Sequence, residues 1–328
     1  MYQEISQLLM YGDLEEDSIL YQMGEIFAKY ETGEYNKTGL VRDINVQVKR
    51  ILKVATDYGF DDNLWHNYLT FFLMMSENPF SMTCEKVGAS EGSVNALVQN
   101  DFRIFKALFD YDFGPIEKDL GISCFSQISD YKAIHKKDLM YNKNVSEKVR
   151  ALSKKLEAAK DEKEFFDGVT GFYKDFGVGM FGLNKAFRID EKPEGGIAFR
   201  AINNMDTVML DDLVGYEIQK KKLVDNTEAF VQGKKANNVL LFGDSGTGKS
   251  TSIKAIVNQY YKDGLRMIEI YKHQFKYLST IIADIKNRNY KFIIYMDDLS
   301  FEEFEIEYKF LKAVIEGGVE TKPENILI

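Results

Sequence analysis

The amino-acid sequence predicts an α/β chain, with an all-helical N-terminal region followed by a parallel sheet with flanking helices that is incomplete at the C-terminus. Three observations carry that expectation. Apolar residues repeat every 3.6 positions through roughly the first 160 residues. After Asp206 short apolar runs alternate with helical segments. A glycine-rich turn at 243–250 joins one such run to a helix. The expected organisation is a helical domain over 1–165, a connector with a β-hairpin over 166–205, and an α/β domain over 206–328.

In the first region Leu40, Val41, Ile44, Val48, Ile51, Leu52 and Ala55 fall on one stripe. Leu64, Trp65, Tyr68, Leu69, Phe72 and Leu73 do the same. That second stripe reads as core in preference to a docking groove for a partner helix. A further helix is expected from Ser93, with Ser93 as its cap and Val94, Val98, Phe102, Phe105 and Phe109 on one face. Ser146 to Lys163 is charged almost all round and reads as an exposed connecting helix.

Gly171, Gly177, Gly179 and Gly182 then crowd a short stretch. Ala186-Phe-Arg-Ile and Ile197-Ala-Phe-Arg-Ala-Ile flank Pro193-Glu-Gly-Gly, the pattern of a hairpin joining the two halves. Beyond it, helices are expected over 215–230, 249–261, 275–285 and 308–315. Strands are expected at 239–242, 267–270, 292–296 and 325–328. Strands this apolar, separated by helices, suit a parallel sheet covered on both faces, so Val239-Leu-Leu-Phe is expected to be buried.

Gly243-Asp244-Ser245-Gly246-Thr247-Gly248-Lys249-Ser250 matches G-x-x-x-x-G-K-[ST] at every fixed position, with an apolar run before and a helix after. Glycines let successive N–H groups converge on one concavity, and the helix N-terminus adds to its attraction for anions. The pattern therefore predicts a P-loop for a nucleoside triphosphate, with Thr251 at its margin. Lys249 would bridge β- and γ-phosphate oxygens, and Ser250 would place its hydroxyl on Mg²⁺.

Phe292-Ile-Ile-Tyr-Met-Asp297-Asp298 is an apolar run ending in two acids, about 50 residues further on. An acid at the end of a strand beside such a loop can hold Mg²⁺, and the next can polarise the attacking water. Asp297 is assigned to the metal and Asp298 to the water, with Glu302 or Glu303 as substitutes. No Asn-Lys-x-Asp guanine reader occurs downstream, so ATP is the expected nucleotide and ATP hydrolysis the expected reaction.

At this point the chain resembles an AAA+ ATPase. Asp212-Leu-Val-Gly215-Tyr216 precedes a helix about 30 residues before the loop and is similar to the segment that wraps adenine in that family. The resemblance is closer to an uncharacterised bacterial AAA+ family known mainly as a domain of unknown function. It is carried by Asp211-Asp-Leu-Val-Gly-Tyr-Glu, Asn237-Asn-Val-Leu-Leu-Phe-Gly-Asp-Ser-Gly-Thr-Gly-Lys-Ser, Asp297-Asp-Leu-Ser-Phe-Glu, Leu311-Lys-Ala-Val-Ile-Glu-Gly-Gly and Pro323-Glu-Asn-Ile-Leu-Ile. It is dense from about Gly179 onward. Two departures stand out. Asp298 occupies a position where most AAA+ members carry Glu, which shortens its reach by roughly 1.5 Å. The chain also stops at Ile328, before the sensor-1 residue, arginine finger and helical lid that the resemblance implies, so a fragment is expected.

The remaining features narrow the class. The formal net charge is −9, which argues against a surface that coats nucleic acid. Lys132, Lys136, Lys137, Lys143, Lys148, Arg150, Lys154 and Lys155 offer one basic segment, diluted by Glu147, Glu157, Asp161 and Glu162, so nucleic acid stays a secondary alternative. Cys84 and Cys124 are far apart, and the three histidines show no metal-ligand spacing. The most apolar run, 64–75, is too short to span a bilayer, and no signal peptide is evident, so a cytoplasmic location without membrane contact is expected. The expected partners are an unidentified protein engaged by the helical domain and, because AAA+ proteins commonly form rings, further copies of the chain.

Overall fold

The computed structural model describes the chain except for residues 90–91, 135–141, 204, 298, 300–305 and 317–322. Two compact units divide it, Met1–Leu183 and Asn184–Ile328.

Among its described residues the elements of the first unit are all helices, with one isolated antiparallel bridge between Asp62 and Tyr131. Its elements are α1 (Tyr2–Ile5), α2 (Ile19–Thr32), α3 (Lys37–Tyr58), α4 (Leu64–Met75), α5 (Pro79–Val87), α6 (Ser93–Phe109), α7 (Gly114–Leu120), α8 (Cys124–Ser129), α9 (Lys143–Glu157), α10 (Glu162–Phe176) and α11 (Gly179–Leu183). Side-chain caps define several starts: Ser18, Asn36, Asn63 and Asp161 each accept from a backbone N–H in the first turn. α6 differs from the expectation. Gly92 holds its cap position without a side-chain bond, so Ser93 is the first residue of the helix and not its cap.

α4 is the centre of this unit. Leu64, Trp65, Leu69, Leu73 and Met74 are all buried, and the Trp65 indole donates to the carbonyl of Leu108 at 2.9 Å. Edge-on aromatic pairs link α6 to α10, Phe109 with Phe165 at 5.1 Å and Phe102 with Phe166 at 5.2 Å. Buried Asp101 is compensated by the N–H groups of Leu9, Met10 and Tyr11, at 2.7–3.0 Å for the nearest oxygens. The expected exposed connector is an integral helix instead. In α9, Val145, Val149, Leu152 and Leu156 are buried against α4 and α10, because the apolar residues among its charges share one stripe.

The second unit contains β1 (Ala186–Glu191), β2 (Ile197–Ala201), a 3₁₀ turn at Leu210–Asp212, α12 (Glu217–Val231), α13 (Lys249–Tyr260) and β3 (Leu265–Ile270). A longer 3₁₀ turn at Lys272–Tyr277, α14 (Leu278–Ile285), β4 (Lys291–Met296), α15 (Ile306–Glu316) and β5 (Ile326–Leu327) follow. The five strands form one sheet in the order β2-β1-β3-β4-β5. β1 and β2 are antiparallel, and the other neighbours are parallel. The hairpin is thus part of this sheet, with Phe187 opposite Ile268, and not a connector between halves. Residues 166–183 belong with the helices of the first unit.

Alternation along the strands separates two faces. Ala186, Met267, Ile293 and Leu327 pack with Ile253 and Ile256 of α13 and with Leu223 and Phe230 of α12. Phe187, Ile268 and Ile294 point the other way and are buried as well. At the start of β3, the Arg266 guanidinium lies between the rings of Tyr261 and Tyr290, at 4.2 and 4.6 Å.

One strand expectation is corrected. Val239–Phe242 forms no strand: a single main-chain bond, from the Val239 N–H to the Ile328 carbonyl at 3.0 Å, sets it beside β5. The Asn238 side chain adds a bond from the Ile328 N–H at 3.1 Å. With a two-residue strand on one side and no paired strand on the other among the described residues, the run lacks the neighbours that would bury it. Leu240 and Phe242 are accordingly 70% and 88% exposed.

Candidate functional site

The loop after Phe242 curls because three glycines adopt positive φ: Gly243 at 141°, Gly246 at 78° and Gly248 at 81°. Gly248 takes the cap position of α13 in the left-handed region and offers no side-chain acceptor. The first N–H groups of the helix are therefore left for an anion, in the field of its positive end. The Thr247 hydroxyl bonds the Asp244 carbonyl at 2.9 Å, and the Ser252 hydroxyl bonds the Gly248 carbonyl at 2.8 Å. Asp244, Ser245 and Gly246 form the exposed outer arc, while Thr251 sits half-buried in the first turn of α13.

Lys249 folds back over this loop. Its ammonium donates to the carbonyls of Gly243 at 2.9 Å and Asp244 at 2.7 Å. The cation thus lies inside the curl, where a polyphosphate would compete for it. The next residue, Ser250, points its Oγ at the carboxylate of Asp297, 3.3 and 3.5 Å from the two oxygens. Asp297 directly follows β4.

A divalent cation fits this donor set. One hydroxyl and one carboxylate are hard oxygen ligands on adjacent elements, and Mg²⁺ typically completes its shell with phosphate oxygens and water. Among the described residues no group of three or more His, Cys, Asp or Glu converges. Asp298, expected to act on water, lies outside the described residues, as do Glu302 and Glu303.

Gly215 and Tyr216 stand at the start of α12, which packs on α13. Both have positive φ, 85° and 55°, an uncommon conformation for a tyrosine. Val214, Tyr216 and Ile218 are 94%, 56% and 71% exposed, forming an apolar strip in this segment. Asn258 of α13 donates to the carbonyls of Asp206 and Val208 at 2.7 and 2.9 Å, which anchors the approach to the strip.

One residue near the loop was not anticipated. Tyr295 precedes Asp297 by two positions on β4, and burial, together with the Asp297 charge, pushes its phenol up to about 12. The period-2 alternation along β4, with Asp297 just beyond its end, was the available signal.

Residues 183–328 match the family described as "Protein of unknown function (DUF815)". A 58-residue stretch is 40% identical to the replication factor C large subunit of Methanococcus vannielii (strain ATCC 35089 / DSM 1224 / JCM 13029 / OCM 148 / SB). The second unit is thus similar to that family over nearly its whole length. The stretch shared with the replication factor covers 18% of this chain and 12% of the relative, so it spans about an eighth of that protein. No solved structure matches the chain. Among the described residues, no helix of either unit is long and apolar enough to cross a membrane.

Proposed function

We propose that this chain is an ATP-binding and ATP-hydrolysing AAA+ protein that couples nucleotide state to the remodelling or regulation of a protein partner. The observation that carries the reading is the approach of Ser250 to Asp297 beside the three-glycine curl. In it, Lys249 and the loop N–H groups hold the phosphates, Ser250 and Asp297 take the magnesium ion, and Tyr216 with Gly215 lies against the base. Asp298 polarises water for attack on the γ-phosphorus, which releases phosphate and leaves ADP. The helical unit selects the partner, and copies of the chain assemble around the nucleotide.

Calorimetric titration with ATP and Mg²⁺ tests the binding step. Wild type should bind, and Lys249→Ala should lose at least on the order of tenfold in affinity, because each hydrogen bond to a charged group contributes about 1.5–3 kcal/mol. Equal affinity in the two proteins would end this reading. Phosphate release tests the second step: Asp298→Asn should keep binding and lose turnover. Binding without turnover in the wild type would instead favour an ATP-gated switch, as the shorter reach of an aspartate at 298 suggests.

A second reading is a nucleic-acid-directed loader, motivated by the similarity to a replication factor C large subunit. The basic residues of α9 weigh against it. Lys148 is spent on the Gly182 carbonyl at 2.9 Å, and Lys154 and Arg150 face Asp62 and Asp61 at 3.1 and 3.9 Å. Absence of single-stranded DNA binding at low salt with ATP present would remove it.

A further inference from the structure

The chain entering the glycine loop is held by side-chain amides where a strand ladder would otherwise hold it. Asn226, in the later half of α12, meets the peptide of Asn237 with both ends of its amide. Its Nδ2 donates to the Asn237 carbonyl at 2.9 Å, and its Oδ1 accepts from the Asn237 N–H at 3.0 Å. A carboxamide offers a donor and an acceptor side by side, so the pair reproduces the two-bond exchange of neighbouring strands. The next two residues fasten to Ile328, just after β5. Asn238 Oδ1 accepts from the Ile328 N–H at 3.1 Å, and the Val239 N–H donates to the Ile328 carbonyl at 3.0 Å. Past that point the main chain of 240–242 bonds no other described residue before the curl opens at Gly243. Residues 237–239 are the last fixed point ahead of the loop.

α12 carries this fixing toward its own start. Lys220 donates to the Leu213 carbonyl at 2.7 Å and pairs with Glu217 at 2.8 Å, which ties the segment containing Gly215 and Tyr216 to the first turn of the helix. The helix is seated independently of Asn226: Leu223 and Phe230 pack with Ile253 and Ile256 of α13, and the Tyr260 hydroxyl bonds Glu228 at 2.9 Å. Asparagine is a weak helix former at an interior position, where alanine would suit the helix better. At 226 it is half-buried, and both of its polar atoms are used outside the helix.

We propose that Asn226 is a positioning residue for the nucleotide, holding Asn237 against α12 so that the Gly215–Tyr216 segment and the phosphate curl keep one fixed separation. This assignment rests on the reading of the loop as an ATP site with Tyr216 against the base. A ligand that touches both places binds tightly only to chains in which both are in position, so releasing the clamp lowers that fraction and the affinity with it. The curl itself is set locally, by its three glycines and the Lys249 contacts, and does not need the clamp.

The test is Asn226→Ala in the full chain, with calorimetric titration of ATP and of inorganic tripolyphosphate, each with Mg²⁺. Tripolyphosphate has the three phosphates and no base, so it reports the curl alone. The variant should lose about fivefold or more in ATP affinity, the effect of two hydrogen bonds, and change by less than about twofold toward tripolyphosphate. Equal losses for the two ligands would mean that the clamp serves the fold of the loop, and would overturn the proposal; a variant that fails to fold gives this result. Unchanged ATP affinity in Asn226→Ala, with normal binding by wild type, overturns this assignment alone. A wild-type chain that does not bind ATP overturns the nucleotide reading and this assignment together.

Discussion

The Oγ of Ser250 lies 3.3 Å from a carboxylate oxygen of Asp297, although 47 residues separate them in sequence. One is the second residue of α13, and the other follows β4 directly. A hydroxyl at this distance from a carboxylate forms a loose bond, longer than the 2.7–2.8 Å usual between hydroxyl and oxygen. Ser250→Ala should therefore leave metal-free ATP affinity nearly unchanged and remove more than about tenfold of the gain that Mg²⁺ confers. Calorimetry with and without EDTA separates the two terms.

Tyr216 combines a positive φ of 55° with an exposed ring. Such a backbone costs a non-glycine residue about 1–3 kcal/mol, partly offset by the chain entropy that glycine would add. Tyr216→Gly should raise the stability of the second unit by about 1 kcal/mol while weakening ATP binding. Thermal melting and calorimetry on one sample check both halves. A rise in stability with intact affinity would remove Tyr216 from the base-binding role.

In the first unit, Asp101 satisfies the N–H groups of Leu9, Met10 and Tyr11 from a fully buried position. Asp101→Ala strands those donors and should cost about 3 kcal/mol or more. Asp101→Asn keeps one acceptor oxygen and should cost roughly half as much. Denaturant unfolding of the two variants, compared with wild type, measures the difference.

His66 gives the same unit a pH dependence. Burial lowers its pKa, while a 2.8 Å contact to the Phe109 carbonyl and the Glu157 carboxylate at 3.7 Å oppose the shift. A histidine lowered in the folded state binds its proton more readily when unfolded. Its contribution is complete above the ordinary histidine pKa of about 6.5 and is lost as pH falls through that value toward the folded one. Melting of the wild type should therefore drop between pH 7.5 and 5.5, and His66→Gln should flatten that part of the profile.

How much of this was legible in the sequence follows from the range of each signal. The glycine loop and the acid-ended strand were legible because each is a local pattern with a local cause. The α4 stripe was legible as core for the same reason. Val239–Phe242 was misread because burial of a strand depends on its neighbours, and β5 supplies one main-chain bond. α9 was misread because its charges outnumber the four apolar residues that decide its face. Tyr295 was hidden inside an apolar run, where a ring counts as hydrophobic and its hydroxyl is ignored. The hairpin was legible as a hairpin, but its parallel pairing with β3 joins residues some 80 positions apart, which no local pattern reports.

The ammonium of Lys249 rests on the Gly243 and Asp244 carbonyls, and under the proposed function that contact would bear on how fast a polyphosphate is captured. A slack loop would have to be gathered up by its guest, with the slow, entropy-limited arrival that entails. This one is already braced from within by its own cation. On the proposed reading, capture would be an exchange of oxygen partners on a single nitrogen, its cost the breaking of two short contacts rather than the organising of a chain.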